Sequence, residues 1–161
     1  MTRTTELFIM ALVIGGIGLV SGYAVLSARS HTRDTVRLAH VREVQMALEM
    51  YFQQHSSYPI AADAVALGQA LTACLSADGF VAPCSAASAT PYLSVVPVPP
   101  SAGLHERVSC VDVNNVYCYS GSPDAYRIQF ELEGGNALLG VAKGANCLRE
   151  NGFVAGVCSS L

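Results

Sequence analysis

Residues 7–28 read LFIMALVIGGIGLVSGYAVLSA, a run of 22 positions without one charged side chain. At ~1.5 Å of rise per residue, about 20 of them reach ~30 Å as a helix, the thickness of a bilayer hydrocarbon core. Leu7 to Leu26 therefore has the length to cross a membrane. A secretory signal is the main competitor, because Val25-Leu26-Ser27 and Leu26-Ser27-Ala28 resemble small-residue cleavage sites. The run is nevertheless longer than the roughly 7–15 apolar residues typical of such signals. It also accounts for the composition. The chain of 161 residues is 52% apolar and 13% charged, with a mean hydropathy of +0.39, and the apolar surplus is concentrated in this segment. What remains is an ordinary mixture, consistent with one compact domain and an appendage.

Downstream, Ser30 to His55 contains neither proline nor glycine. Leu38, Val41, Val44, Leu48, Tyr51 and Phe52 recur at spacings of three and four, with Arg37, Arg42, Glu43, Glu49 and Gln53 as polar positions among them. Nothing breaks the chain between this stretch and the apolar run. The pattern predicts one helix of about 50 residues, apolar all round in its first half and amphipathic over 29–55, ending at Tyr58-Pro59. The chain thus divides into a hydrophobic helix, 1–28, and a globular domain, 29–161, that includes the amphipathic half.

Gly15, Gly16, Gly18 and Gly22 interrupt the apolar segment. Their spacing, Gly16-x-Gly18-x-x-x-Gly22, does not fit the G-x-G-x-x-G of a dinucleotide site, and no alternation of strands and helices follows. Small residues four apart let helices approach closely, and each glycine costs ~1 kcal/mol of helix propensity relative to alanine. Two readings remain at this point, glycines that pack against a neighbouring helix and glycines merely tolerated in a lone anchor.

Charge is distributed unevenly. Residues 1–55 carry five arginines against four acids, and residues 56–161 carry four basic residues against eight acids, for a net of −3 overall. An acidic domain with one lysine is a poor match for a phosphate backbone, so direct nucleic-acid binding is not expected. The six cysteines, Cys74, Cys84, Cys110, Cys118, Cys147 and Cys158, all follow residue 70. Their even number and the lack of any C-x-x-C spacing favour disulfides formed outside a reducing compartment. The local pairing is expected: Cys74–Cys84, Cys110–Cys118 and Cys147–Cys158. Arg29, Arg33, Arg37 and Arg42 outnumber Arg3 across the apolar segment, which by the positive-inside tendency would place the domain in the cytoplasm. The disulfides require the opposite side, and that chemical requirement outweighs a statistical bias.

In the domain, Asp63 is expected to cap a short helix from Ala64 to about Leu75, packed by Val65, Leu67 and Leu71. Strands are expected at Arg107–Val111, Val116–Tyr119, Ala125–Glu133 and Ala137–Ala142. In the third, Tyr126, Ile128, Phe130 and Leu132 alternate with Arg127, Gln129, Glu131 and Glu133, as for a sheet with one face on a core. Ser120 to Asp124 and Gly134-Gly135-Asn136 read as turns. The fold class is therefore α+β, a long N-terminal helix packed on a small antiparallel sheet of three or four strands and stapled by disulfides.

No catalytic motif is found. His105-Glu106 begins like H-E-x-x-H but lacks the second histidine, and there is no G-x-S-x-G elbow or P-loop. Asp112, Asn114 and Asn115 offer oxygens but not the spacing of an EF-hand, so a solvated turn is the better reading. His31 and His40, among arginines on the helix, are expected to face solvent or another subunit rather than a metal. The expectation is a chain without catalytic residues, metal or cofactor. Ser85–Thr90, Ser159 and Ser160 offer hydroxyls for O-glycans, and no N-x-S/T acceptor occurs.

Taken together, Glu6, the apolar helix and the segment from Ala28 to Pro59 resemble the type IV pilin and type II secretion pseudopilin superfamily. The residues carrying the likeness are the arginine-rich start after the apolar run, Ala47-Leu48-Glu49, the aromatic pair Tyr51-Phe52 and the exit Tyr58-Pro59. PYLSVVP (91–97) and AYRIQFELEGG (125–135) fit more loosely, as the loop before the sheet and a central strand. The front departs from the family pattern. Family precursors have a leader ending in glycine, an apolar or aromatic first residue and glutamate at mature position five. Here there is no Gly-Phe junction, and Glu6 takes the fifth position only if Thr2 is the first residue.

The resemblance implies a pilin-like fold and a structural subunit of an extracellular filament, held in the inner membrane before assembly. It implies Glu6 pairing with the N-terminal amine of a neighbouring subunit to set axial register, with Thr2 as that terminus. A carboxylate at the edge of an apolar span is otherwise costly, although a first-turn acid also complements the helix dipole. It further implies partial unwinding at Gly15–Gly22 in the filament, and partners in an assembly platform, an assembly ATPase and a prepilin peptidase. Cys147–Cys158 would close a C-terminal loop of the kind many pilins expose. The alternatives are a pseudopilin of a secretion or DNA-uptake apparatus and a monomeric, single-pass anchored binding module outside the cytoplasm.

Overall fold

The computed structural model describes residues 3–84 and 91–158. Helix α1 runs without interruption from Arg3 to His55, 53 residues, or ~80 Å. It stops where Ser56 turns into the left-handed region (φ 54°) while its N–H still donates to the Phe52 carbonyl at 2.8 Å. The strands follow in the order β1 (Ala61–Ala66), β2 (Cys74–Ser76), β3 (Gly79–Val81), β4 (Ser109–Cys110), β5 (Val113–Asn114), β6 (Cys118–Gly121), β7 (Tyr126–Leu132), β8 (Gly144–Arg149) and β9 (Gly152–Ala155). The main sheet is antiparallel, with spatial order β1-β6-β7-β8-β9, and two small hairpins, β2–β3 and β4–β5, lie apart from it. This is the α+β, pilin-like layout, with five strands in the sheet rather than three or four.

The core forms between the amphipathic half of α1 and one face of this sheet. Leu38, Val41, Val44, Ala47 and Leu48 pack with Tyr117, Tyr119, Tyr126, Ile128, Phe130 and Leu148 in one cluster. At the helix end, the Glu49 carboxylate accepts from the hydroxyls of Tyr58 (3.2 Å) and Tyr126 (3.3 Å). Burial, and then the nearby Glu49 charge, push the Tyr58 phenol up to about 12. The exit Tyr58-Pro59 is tied down as well, because the Tyr119 hydroxyl donates to the Pro59 carbonyl at 2.7 Å. All three disulfides have the local pairing, Cys74–Cys84, Cys110–Cys118 and Cys147–Cys158.

Several expected elements are different. The helix expected from Ala64 to about Leu75 does not form: residues 64–66 end strand β1, an edge strand bonded to β6 with an irregularity between Ala61 and Val65, residues 67–73 are turn, and Cys74 and Leu75 open β2. Ala61–Ala66 (AADAVA) has good helix propensity, but its backbone completes the edge left open by β6, and tertiary pairing overrides local preference. Gly68 (φ 72°) then turns the chain, and a side chain there would collide with Val98. Leu67 is fully buried as expected, whereas Leu71 is exposed. The strand expected at 137–142 is a 3-10 turn, Ala137–Leu139, whose N-terminus is capped by the Asn136 side chain. The turn signal at Gly134-Gly135-Asn136 thus extends further than its residues indicate. Of 107–111, only Ser109–Cys110 is strand, and 116–119 shifts to Cys118–Gly121.

Strand β7 also differs from its alternating pattern. Arg127 and Glu131 lie on the face away from α1, yet both are buried. The Glu131 carboxylate accepts the backbone N–H groups of His105 and Arg107, both at 2.9 Å, so the chain around 105–107 covers that outer face.

Candidate functional site

Among the described residues no three His, Cys, Asp or Glu side chains come together as a metal site. Two features stand out, the free half of α1 and the polar joint that fixes it to the domain.

The free half is bare. From Leu7 to Leu26, thirteen large apolar or aromatic side chains are each at least half exposed, and the apolar window has no part buried within the chain. The helix has the length and composition to cross a membrane. Glu6 lies in the first turn and is exposed, while Thr2, its expected partner, lies outside the described residues. The helix continues unbroken through Gly15, Gly16, Gly18 and Gly22. A Cβ added at any of the four would meet nothing within 4 Å. Among the described residues nothing therefore requires glycine at these positions, although each weakens the helix by ~1 kcal/mol relative to alanine.

The joint lies one turn beyond the arginine-rich start. Asp34 and Arg37 are buried, on the helix face that meets the domain. The Asp34 carboxylate receives the backbone N–H groups of Glu133 (2.9 Å), Gly134 (2.7 Å) and Gly135 (3.3 Å), capturing the turn after β7. Arg37 uses its whole donor fork. Nη1 reaches Asp34 (2.8 Å) and Glu133 (2.7 Å), Nη2 reaches the carbonyls of Pro100 (2.6 Å) and Ala102 (2.7 Å), and Nε also donates to Pro100 at 3.2 Å. Arg33 grips the same Glu133 carboxylate with two further bonds, at 2.6 and 2.5 Å. Hydrogen bonding to Arg33, followed by bonds and charge from Arg37, holds Glu133 below the usual carboxylate range, against the opposing effect of burial. A buried guanidinium with five satisfied donors and two carboxylates is a rigid connector, since each group would be costly to bury alone.

The helical pattern places Arg37 among the polar positions and so misses this role. The available signal is the Asp34–Arg37 spacing of three, with Arg33 beside it and Glu133-Gly134-Gly135 at the end of the longest strand. Glu49 was marked by the Ala47-Leu48-Glu49 motif, and its contacts are with tyrosines of its own chain. His31 is exposed, whereas His40 is partly buried with Nδ1 3.2 Å from the Tyr117 hydroxyl. Desolvation lowers the His40 pKa. Asn115, considered as a cation ligand, instead accepts the Glu106 N–H at 3.1 Å. The candidate glycan hydroxyls of 85–90, Ser159 and Ser160 lie outside the described residues.

The fold and these two features give an α+β protein of pilin-like layout, in which one continuous helix joins an exposed apolar half to the domain. Set against protein-family models, curated proteins and solved structures, the chain matches none of them significantly.

Proposed function

We propose that this chain is a structural, non-catalytic subunit of an extracellular type IV pilus-like filament, held in the inner membrane by 7–28 and assembled through the same helix. The observation that carries the reading is the apolar half of α1, fully unburied and yet rigidly continuous with the domain. At a minimum of ~1.5 kcal/mol per large apolar side chain, its exposure to water would cost on the order of 20 kcal/mol, so it requires lipid or neighbouring helices. Because lipid and helix neighbours satisfy that demand about equally, register must come from polar and steric features. Glu6 stands exposed in the first turn of α1 and the four glycines face open space among the described residues, so both are suited to that task. The Cys147–Cys158 disulfide closes a loop at the β8–β9 edge of the sheet, as the resemblance to pilins with a closed C-terminal loop leads one to expect.

The test is the Glu6→Gln variant of the full chain in its producing cell. It should insert and oxidise normally, yet give no fibres in the sheared surface fraction under negative stain. Normal polymerisation of Glu6→Gln refutes the register role of Glu6. Absence of fibres containing the wild-type chain refutes the filament itself and favours an anchored monomer.

A further inference from the structure

On the stretch of α1 that carries the domain, Asp34, Arg37, Leu38, Val41, Val44 and Leu48 mark the buried side. The opposite side presents Val36, Ala39, Glu43, Met46 and Met50. All are exposed, Met46 by 61% and Met50 by 45%, although three of them are large and apolar. These positions alternate steps of three and four, and the same steps continue through Thr32, Arg29 and Val25 into the apolar half. Alternating steps of three and four are the signature of a helix seam that receives another helix. Among the described residues, no part of the chain's own domain covers this one.

The charges on the seam select the occupant. Arg29 and Glu43 are its two charged residues, and neither has an ion pair among the described residues. They lie 14 residues apart in the sequence, which is two heptads or ~21 Å along the axis. Parallel, unshifted copies would set Arg29 against Arg29 and Glu43 against Glu43. An antiparallel pair centred on Val36 would match the charges, but chains inserted in one membrane with one orientation run parallel. A parallel neighbour displaced by two heptads keeps the seam in phase and sets Arg29 against Glu43. Residues 22–36 of one copy then lie along 36–50 of the next, with Gly22 facing Val36 and Thr32 facing Met46.

We propose that this face of α1 docks a second copy of the same chain, parallel and displaced by two heptads, with Arg29 of one copy paired to Glu43 of the next. The proposal rests on the filament reading and specifies its contact. In this contact one copy presents 22–36 and the other 36–50, so the two surfaces differ and the contact is heterologous.

The test places a benzophenone-bearing amino acid at position 46 of the full chain in its producing cell, irradiates the sheared surface fibres, and maps the attached residue by mass spectrometry. Attachment at or beside Thr32 of another copy is expected. Attachment at position 46 would indicate an unshifted parallel pair and attachment near Leu26 an antiparallel one, and either overturns the proposal. In the same cells, Arg29→Glu and Glu43→Arg should each lower the cross-link about tenfold, as an attractive pair becomes repulsive, and the double exchange should restore it. A double variant that stays as low as the singles overturns the pairing. Wild-type fibres without the 46–32 cross-link refute this register while leaving the filament reading intact. No fibres and no cross-link refute both.

Discussion

Replacing Arg37 by Met removes the guanidinium at the joint while keeping a side chain of similar length. In the native chain Arg37 is wholly buried and bonds two carboxylates and two backbone carbonyls. The Pro100 and Ala102 carbonyls would lose this donor, while Glu133 would keep Arg33 and Asp34 would keep its backbone N–H donors. Removing one member of a buried ionic cluster costs ~3–5 kcal/mol, and the surviving bonds to Glu133 and Asp34 place the expected loss near the lower end, ~3 kcal/mol. Against a total stability of roughly 5–15 kcal/mol this is a large fraction. In a domain of 133 residues, 29–161, it would lower Tm by roughly 10 °C. The assay is thermal and urea unfolding of the oxidised full chain in detergent, followed by near-ultraviolet circular dichroism of the tyrosines. Arg37→Lys, with a single point of charge in place of a planar fork, should fall between the two. A change below about 0.5 kcal/mol for Arg37→Met, the range of an ordinary surface substitution, would refute the idea that this joint holds helix to domain.

Two further outcomes are expected. Glu133 has its folded-state pKa lowered from 4.5. Its contribution is therefore full above about pH 4.5 and is lost as the pH falls through the lower folded value. Urea midpoints between pH 6 and pH 3 should show that loss in the wild type, with a weaker slope in Glu133→Gln; equal slopes would contradict the assigned bonds. Gly22→Leu adds a side chain where the chain has open space and replaces a weak helix former. Domain melting should be unchanged or slightly raised while fibre yield falls several-fold, and unchanged fibre yield would leave these glycines without a packing role.

Features that depend on sequence-local regularities were legible in the sequence. The apolar run from 7 to 28, the spacing of Leu38 to Phe52 and the absence of breakers specify one long helix, because helix formation depends on neighbours within a few residues. The alternation in Tyr126–Leu132 specifies the central strand, and cysteines eight to eleven residues apart pair locally because short loops close readily. Ala61–Ala66, by contrast, favours a helix on its own and becomes a strand only when β6 offers an open edge. Strands β8 and β9 carry no clear alternation, since buried Asn146 and the disulfide-bonded Cys147 interrupt the apolar pattern.

The candidate site divides along the same physical line. The sequence by itself determined that 7–28 is uncharged and long enough to cross a membrane, and that Glu6 and the glycines stand within or beside it, because length and apolar surface are properties of composition. Only the tertiary structure decided that Arg37 faces inward. Its burial depends on Glu133, nearly a hundred residues away in the sequence, and on two carbonyls of the 100–102 loop arriving at one point. The same packing decided which side of α1 remains bare. The sheet covers Val41 and Val44 and leaves Val36, Met46 and Met50 in the open.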